Sequence, residues 1–576
     1  MKQLSGTDNL FLQLEHGNQY MHVAGLGIYD PSTAPGGSVR FKEILEFFEA
    51  RLDLAPVFRR RLVTVPLDLD RPYWIEDGDI DVEFHVRHIA LPQPGDWRQL
   101  CIQVARLHSR PLDRSKPLWE VYVIEGLDNI QGLPAGSFAL YIKFHHAAVD
   151  GEAGTELMKA IHSFSPDEAV DEIEKPPRFR DREPSPIELG TRTLINTAQR
   201  VPKFARFSLK TATRLAGVGS SYASQLMSVL REAGVPSVEI RKPKGRRPPV
   251  TRFSGRVSAH RVVELDGLPL EGMKNIRNKV AGSTLNDIFL AVVGGAVRAY
   301  LDDKGELPDR SLTAQVPMTT RGADKGGDVG NQIAIGVMPL HTEIADPIDR
   351  LLAISKGSDK AKATMAVVGK DLAANLFDLL PAAASELVTK RMMLPTMNIV
   401  VSNVRGPDVA MYMAGARMVN FAPVSVAMDG LGLNVTGFSY HGTMWVCSVA
   451  CREMMPDPAF FSECLQASFA AMVRAADALP DVTEAAKAQS PVRRRKSATP
   501  RKAKVRKAAV RKKKSPARER PAAKAKAVAG TRSKSRAKSM AKTKMKARTK
   551  ARTKAKVRAG AKTKAGKKPK AKQKAA

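Results

Sequence analysis

The order of apolar and polar positions in the first 165 residues predicts alternating helices and strands. Residues 41–54 and 100–107 have apolar side chains at helical spacing, and residues 74–75 are typical of a short strand. Residues 137–146 form a strand-length apolar run that ends in two histidines, and the apolar stripe at 157–161 indicates a buried helix. The histidines are therefore predicted at a strand–helix junction, where polar side chains can face a cleft.

A second unit with the same mixture of elements is predicted between residues 253 and 479. Ser283 or Thr284 can cap a helix that carries a long apolar face. Strand-like runs occur at residues 312–318, 332–340, 397–401 and 444–450. We therefore expect an α/β (α+β) protein of two similar lobes with a channel between them, although the sequence contains no clear internal repeat.

Changes in composition predict the boundaries of four regions. They are an N-terminal lobe at 1–185, a basic crossover or linker at 186–252, a C-terminal lobe at 253–485 and a tail at 486–576. Residues 190–231 contain no acid, and their basic and apolar side chains have near-helical spacing. Such a helix can lie on an anionic membrane, or it can pack on the body and expose its basic side to water.

The charge is concentrated in the tail. Residues 491–576 contain 37 lysines and arginines against the single acid Glu519, whereas the preceding 490 residues have a net charge of −2. With few large apolar side chains to bury, the tail is predicted to be disordered. DNA, RNA or an anionic lipid surface would satisfy its charge, and a solubilising extension without a partner is the alternative. The tail has no aromatic residue, so stacking on bases is not supported.

The cysteines and the apolar runs limit the location of the protein. Four cysteines in 576 residues are too few for a disulfide framework and favour buried thiols in a reducing cytoplasm. The N-terminus lacks the apolar core of a signal peptide, and no run is long enough for a membrane-spanning helix. We expect a cytoplasmic protein that works peripherally, on the inner membrane face or on lipid inclusions.

The sequence from His145 to Gly151, HHAAVDG, is the strongest chemical signal. An alcohol attacks a carbonyl well only when a base removes its proton, and neutral histidine is such a base near pH 7. A thioester is already activated, so this reaction requires no metal or cofactor. A metal site would need a further ligand at a familiar spacing, and none is evident. A purely structural histidine pair is the remaining alternative.

This sequence matches the HHxxxDG motif of the chloramphenicol-acetyltransferase-like superfamily. Other segments make the chain resemble, over roughly residues 1–480, the bacterial wax ester synthase/diacylglycerol acyltransferase family. They are residues 21–23, 111–114, 117–119, 286–287, 330–331 and 402–407. The resemblance implies two chloramphenicol-acetyltransferase-like lobes, acyl-CoA as co-substrate, and diacylglycerol or a long-chain alcohol as acceptor.

The resemblance also implies roles for individual residues. His146 would be the general base, His145 would support it, and Asp150 and Gly151 would be structural. Asn286 would either bind the developing oxyanion or satisfy a helix end. A further segment would line or shape the substrate channel, or alternatively form a rigid turn with its tryptophan in the core. It consists of Pro111, Leu112, Asp113, Arg114, Pro117, Leu118 and Trp119.

Two other functions stay open at this point. One is an acyltransferase or condensation-type enzyme of natural-product assembly, which would be favoured by an attached carrier-protein module that the sequence does not reveal. The other is a nucleoid-binding protein whose acyltransferase body is inactive. The intact HHAAVDG sequence and the spread of matching segments favour the lipid acyltransferase.

Overall fold

The computed structural model describes residues 1–149, 151–167, 181–215, 247–319, 333–368, 377–380, 385–386, 389–390 and 394–480. Contacts divide the chain into two units, Met1–Val492 and Arg493–Ala576, and the described residues all belong to the first. The predicted disorder of the tail concerns residues outside the described part of the chain.

Strands and helices alternate along the described residues. The strands of the first half are β1 (Lys2–Gln3), β2 (His22–Asp30), β3 (Arg60–Val63), β4 (Tyr73–Glu76), β5 (Val86–Ala90), β6 (Trp119–Glu125) and β7 (Phe138–His145). Its helices are α1 (Gly6–Leu14), α2 (Phe41–Arg51), α3 (Val82–His85), α4 (Trp97–His108), α5 (Gly151–Ala160) and α6 (Pro186–Leu215). These bounds confirm the helices predicted at 41–54 and 100–107 and the strands predicted at 74–75 and 137–146.

The second half has the same mixture. Its strands are β8 (Arg261–Pro269), β9 (Thr313–Thr319), β10 (Ile333–Pro339), β11 (Ile399–Arg405), β12 (Tyr412–Met413), β13 (Ala416–Val424), β14 (Leu433–Tyr440) and β15 (Thr443–Cys451). Its helices are α7 (Leu270–Lys279), α8 (Leu285–Asp303), α9 (Pro347–Val368) and α10 (Pro458–Asp477). The four strands predicted in this half correspond to β9, β10, β11 and β15.

Two six-stranded mixed sheets organise these elements. Their strand orders are β12-β13-β2-β7-β6-β5 and β10-β9-β11-β14-β15-β8, and β1-β4-β3 form a small third sheet. Strand β13 pairs antiparallel with β2 although it belongs to the second half of the sequence. The predicted lobe 253–485 therefore contributes two strands to the sheet of the predicted lobe 1–185, and the lobes interlock.

Strand β7 lies at the centre of the first sheet and is buried along its whole length. Its residues Leu140 and Ile142 pack with α2 and α5 in one core cluster. On the opposite side of the sheet, Tyr141 packs with α4 and with strand β8 of the second sheet. Burial on both faces explains why the sequence of β7 is a continuous apolar run instead of an alternating one.

Helix α8 forms the centre of the second core. Thr284 caps it and shares a capping box with Asp287, so of the two residues predicted as caps the structure uses Thr284. Helix α6 confirms a helix in the predicted crossover region. No helix among the described residues is long and apolar enough to span a lipid bilayer.

Candidate active site

The turn after β7 fixes the direction of the two histidines. The amide of His145 donates to the carbonyl of Leu118 at 3.0 Å, and the amide of His146 donates to the carbonyl of Met21 at 2.7 Å. The chain then turns tightly, because the amide of Ala148 donates back to the carbonyl of His145 at 2.9 Å. Neighbouring strands and this turn therefore hold both backbones, so the adjacent side chains have different surroundings.

The ring of His146 is half-buried and lies against helix α1. It stacks on Phe11, with the ring centroids 4.0 Å apart and the ring planes 6° from parallel. The start of α1 approaches the second half of the chain closely, since a Cβ added to Gly6 would lie 2.1 Å from the carbonyl oxygen of Phe377. This close approach needs glycine, and it sets the position of the helix that supports His146.

The ring of His145 points away from His146 towards the carboxylate of Glu15. Its Nδ1 accepts the amide hydrogen of Ala147 at 3.0 Å, so its Nε2 carries the proton. That Nε2 lies 3.2 Å from Glu15 Oε1. His22 Nε2 lies 3.4 Å from the same oxygen, and Arg114 contacts the other oxygen at 2.5 Å. Glu15 therefore joins helix α1, strand β2 and the turn after β7.

These contacts keep Glu15 ionised. Burial by itself would raise the pKa of Glu15, but the hydrogen bond and charge of His145, the charge of His22 and the hydrogen bond from Arg114 lower it to about 2. The pKa of His22 is held well below its usual value by burial and then by the charge of Lys143. At neutral pH the carboxylate of Glu15 is therefore ionised, and the ring of His22 is neutral.

A second ion pair lies on the same face of β7 as His145. Lys143 is fully buried, and its Nζ lies 3.1 Å from Oε2 of Glu120, which is directly opposite on β6. The same Nζ donates to the carbonyls of Leu107 and Arg110. The buried carboxylate of Glu120, the half-buried carboxylate of Glu15 and their partners thus stabilise the end of β7 that carries the histidines.

His146 lines a cavity of about 580 Å³ between the two sheets. Its lining is mostly apolar and includes residues of the paired strands β2 and β7, and we call the part of the cavity along these strands the β2–β7 arm. From β2 the arm is lined at alternate positions by Val23, Gly25, Gly27 and Tyr29. At about 3.3 Å per residue these positions span roughly 20 Å. The arm therefore has the length of a long hydrocarbon chain.

A neutral pair lies where this arm ends. The hydroxyl of Tyr29 donates to Nε2 of His162 at 2.7 Å, and Nδ1 of His162 donates to the carbonyl of Met158 at 2.7 Å. Burial lowers the pKa of His162 to about 4, although the bond to Met158 opposes this change. Burial also raises the pKa of Tyr29 well above its usual value. Both groups are therefore neutral near pH 7.

The second sheet contributes the polar side chains of the opposite wall. Gln315 of β9 and Ser402 and Asn403 of β11 line the cavity, and the exposed Arg405 marks its rim. Asn286 lies in the first turn of α8, half-buried, and is not among the described residues that line the cavity. The helix end is satisfied by Asp287, which also accepts a hydrogen bond from Ser358 at 2.5 Å.

The structure places the segment predicted to line the channel behind the turn that carries His145 and His146. The residues predicted there, Pro111, Leu112, Asp113, Arg114, Pro117, Leu118 and Trp119, all lie in the described part of the chain, and none of them lines the cavity. Trp119 is fully buried, and its indole donates to the carbonyl of Phe58 at 3.0 Å. The carbonyl of Leu118 accepts a hydrogen bond from the amide of His145, and the guanidinium of Arg114 donates to the carboxylate of Glu15. The segment supports the histidine turn from behind, and its substrate-binding role stays a prediction.

Other residues of the HHAAVDG sequence are described only in part. Gly151 begins helix α5, whereas Asp150 lies outside the described residues. Sequence reasoning missed Glu15, Tyr29 and His162. Glu15 is 130 residues from His145, and Tyr29 is 133 residues from His162, so no local spacing could identify these pairs.

Comparisons with known proteins show which family this chain resembles. Family models of the wax ester synthase/diacylglycerol acyltransferase catalytic domain and of its C-terminal domain match residues 4–289 and 329–473. A Mycobacterium tuberculosis protein provisionally named diacylglycerol O-acyltransferase is 35% identical over 460 residues, which cover 79% of this chain and 95% of the relative. A similarly named Mycobacterium bovis protein is 32% identical over 463 residues, with the same coverage.

One solved structure has a similar fold. The wax ester synthase/diacylglycerol acyltransferase from Marinobacter aquaeolei VT8 is 28% identical and matches with a TM-score of 0.58. The match covers 83% of this chain and 100% of the Marinobacter chain.

Proposed function

The chain belongs to the wax ester synthase/diacylglycerol acyltransferase family, and on that premise we propose that it esterifies a lipid alcohol with the acyl group of acyl-CoA, using His146 as general base. Its two-lobed α/β fold is the one that the family shares with the chloramphenicol-acetyltransferase-like superfamily. The observation that carries the proposal is the position of His146, whose ring is stacked on Phe11 and lines a cavity between the two sheets.

In the proposed reaction the alcohol and the thioester meet at His146. The imidazole takes the hydroxyl proton while the oxygen attacks the thioester carbonyl, so the new C–O bond forms and a tetrahedral oxyanion develops. Collapse of this species breaks the C–S bond, and the departing CoA thiolate takes the proton back from the imidazolium. Holding both reactants in line provides much of the rate enhancement.

The oxyanion needs a hydrogen-bond donor, and two places in the structure could provide it. The amides of Gln315 and Asn403 line the cavity wall that belongs to the second sheet. Asn286 is the other candidate, because the family resemblance implies either an oxyanion donor or a helix-end role for it. We propose the cavity amides, because a donor must reach the oxygen where the charge develops. Gln315→Leu and Asn403→Leu should each lower kcat by about a hundredfold, and Asn286→Leu should not.

We propose that the arm along β2 and β7 holds the hydrocarbon chain of one substrate. Gly27 leaves room in this arm, because an added Cβ would lie 2.9 Å from the ring of Tyr29. The variant Gly27→Val should push that ring and shorten the arm. It should therefore lose kcat/KM for palmitoyl-CoA or for hexadecanol while keeping it for their six-carbon analogues, which also shows which substrate the arm holds. An equal loss for long and short chains would contradict the assignment.

The central test is ester formation by the purified protein from labelled palmitoyl-CoA, with diacylglycerol and hexadecanol compared as acceptors. His146→Ala should lower kcat by about 10²–10⁴-fold, the usual contribution of a general base. His260→Ala, which removes an exposed histidine away from the cavity, is the matched control and should retain activity. Near-normal ester formation by His146→Ala would refute the proposal.

We propose a polyanionic partner for the tail, since residues 491–576 contain 37 basic residues and one acid. An anionic membrane or lipid inclusion and a nucleic acid satisfy the same electrostatics. Titration with salt against duplex DNA and against anionic vesicles separates them, because the true partner retains measurable affinity at physiological salt. Loss of both interactions at that salt would indicate a solubilising extension.

A further inference from the structure

Helix α6 attaches to the body along a narrow stripe. Leu189, Thr193, Asn196 and Arg200 face inward at spacings of four, three and four residues, which is the period of one helix face. Leu189 packs in a small core cluster with β3 and β4. The opposite side of α6 is therefore turned away from the body.

Polar contacts with Asp70 and Tyr73 fix the orientation of α6 on the body. Asn196 donates to Oδ2 of Asp70 at 2.9 Å and to the hydroxyl of Tyr73 at 2.9 Å. Arg200 pairs with Oδ1 of Asp70 at 2.6 Å. Asp70 is buried, so this ion pair is worth more than a surface pair and defines which side of α6 faces outward.

The outward side of α6 carries large apolar side chains that are exposed to solvent. Ile187 is 83% exposed and Leu194 is 74% exposed, and Ile195 lies beside them. At about 100° per residue these positions are opposite the inward stripe. Of the twelve exposed large apolar side chains in the described residues, five lie on α6 or on the neighbouring turn after β3. Their concentration distinguishes this surface from scattered apolar residues.

That turn contributes the other two. Leu67 is 89% exposed and Leu69 is 67% exposed, in the turn that precedes Asp70. Leu67 has a φ of 58°, which is a conformation that a leucine rarely adopts. The backbone therefore accepts strain while it presents a bulky apolar side chain to solvent.

The charges beside these residues are basic. Arg192, Lys203 and Arg206 are exposed on α6, and Glu188, the one acid in the sequence of this helix, pairs with Arg192 at 3.1 Å. The sequence contains no acid between Glu188 and Glu232. An apolar strip with a basic border is the pattern of a helix that lies in the interface of an anionic membrane. The same charges would repel a second copy of this surface, which makes a homodimer contact the weaker interpretation.

We propose that α6 and the turn at Leu67 and Leu69 dock the enzyme on an anionic lipid surface. The inference rests on the proposed function in one respect, since a diacylglycerol or long-chain alcohol acceptor is dissolved in such a surface. The exposed leucines enter the boundary between headgroups and acyl chains, and the basic side chains contact the anionic headgroups. The tail is not required for this contact.

The four native cysteines are all buried, which allows single labelled cysteines to test this contact in the full-length protein. Leu67→Cys and Leu194→Cys carry an environment-sensitive dye, and Leu352→Cys, 47% exposed on α9, is the control. With phosphatidylglycerol vesicles the emission at positions 67 and 194 should shift to the blue, and it should not shift at 352. The shift should persist at salt concentrations that weaken electrostatic binding of the tail.

Four results would overturn the inference. The first is no shift at positions 67 and 194, and the second is an equal shift at 352. The third is a shift that depends on protein concentration without vesicles, which would indicate contact with a second copy. The fourth is a dye that is already shielded from water without vesicles, which would indicate cover by another part of the chain.

Activity separates this inference from the proposed function. Leu67→Ser/Leu194→Ser should bind the vesicles at least about tenfold more weakly, because each leucine loses its apolar insertion. It should turn over diacylglycerol in vesicles more slowly while keeping its rate on a water-soluble short-chain alcohol. If the variant matches the wild type on vesicles, the docking surface is wrong. If the wild type forms no ester with either acceptor, the proposed function is wrong.

Discussion

The two ends of the β2–β7 arm bury histidines in different electrostatic surroundings. At the His146 end, His145 and His22 face the ionised Glu15, and the buried Lys143 pairs with Glu120 nearby. At the other end, neutral His162 accepts a hydrogen bond from the hydroxyl of Tyr29 and donates one to the carbonyl of Met158. Paired charges thus fix the turn that presents the imidazole of His146, whereas a neutral pair lies at the end of the apolar arm. The two ends should therefore respond differently to mutation and to pH.

The largest expected effect comes from a variant that leaves a buried charge without its partner at the His146 end. Glu120→Leu removes the carboxylate partner of the fully buried Lys143, which should lower the free energy of unfolding by about 3–5 kcal/mol. Lys143→Met/Glu120→Leu removes both charges and should recover most of that loss. Urea denaturation of the single and double variants measures both. A double variant as unstable as the single would show that charge pairing is not what stabilises this end.

The second-largest effect on stability should come from Glu15, at acid pH. Its pKa is lowered from 4.5 to about 2 in the folded protein, so the ionised carboxylate stabilises the fold fully above pH 4.5. That contribution is lost as the pH falls from 4.5 towards 2, and it amounts to roughly 3 kcal/mol. Glu15→Gln should therefore lose less stability than the wild type across this range. If the free energy of unfolding falls equally with pH in the two proteins, the assignment is contradicted.

The fold was predictable where sequence patterns are local. The run 137–146 and a cap at Ser283 or Thr284 predicted β7 and α8, because each signal depends on neighbouring residues. Strand β2 did not stand out, since Gly25 and Gly27 reduce its strand propensity. The pairing of β13 with β2 could not be read from sequence either, because it joins residues about 400 positions apart, where only tertiary packing decides.

The candidate site follows the same division. His146 stands in a local motif, so the sequence identified it and the structure places it on the cavity. Glu15 precedes His145 by 130 residues, and the carboxylate becomes recognisable only when α1 and β7 are adjacent. The family resemblance implies a channel position for Trp119, and a core position is the alternative. Its indole hydrogen bond to Phe58 and its complete burial are tertiary facts.

His162 should give a smaller effect at higher pH. Because its pKa is lowered from 6.5 to about 4, the neutral form stabilises the fold fully above pH 6.5, and this contribution falls as the pH drops towards 4. By pH 5 the loss should be about 2 kcal/mol. His162→Gln keeps an acceptor for Tyr29 but does not titrate, so the difference from the wild type between pH 6.5 and 5 isolates this group from His22 and His108. Equal pH dependence in both proteins would place His162 outside this role.

The smallest effect tests whether the far end really is a neutral pair. Tyr29→Phe leaves the buried Nε2 of His162 without its donor and should cost about 1–2 kcal/mol in the free energy of unfolding. His162→Leu leaves the Tyr29 hydroxyl unpaired at a similar cost, while Tyr29→Phe/His162→Leu removes both polar groups and should cost less than the two single changes together. Denaturation of all four proteins gives the coupling energy. Additive costs would mean that the hydrogen bond contributes nothing at this end, and the contrast with the charged cluster around Glu15 would then rest on pH alone.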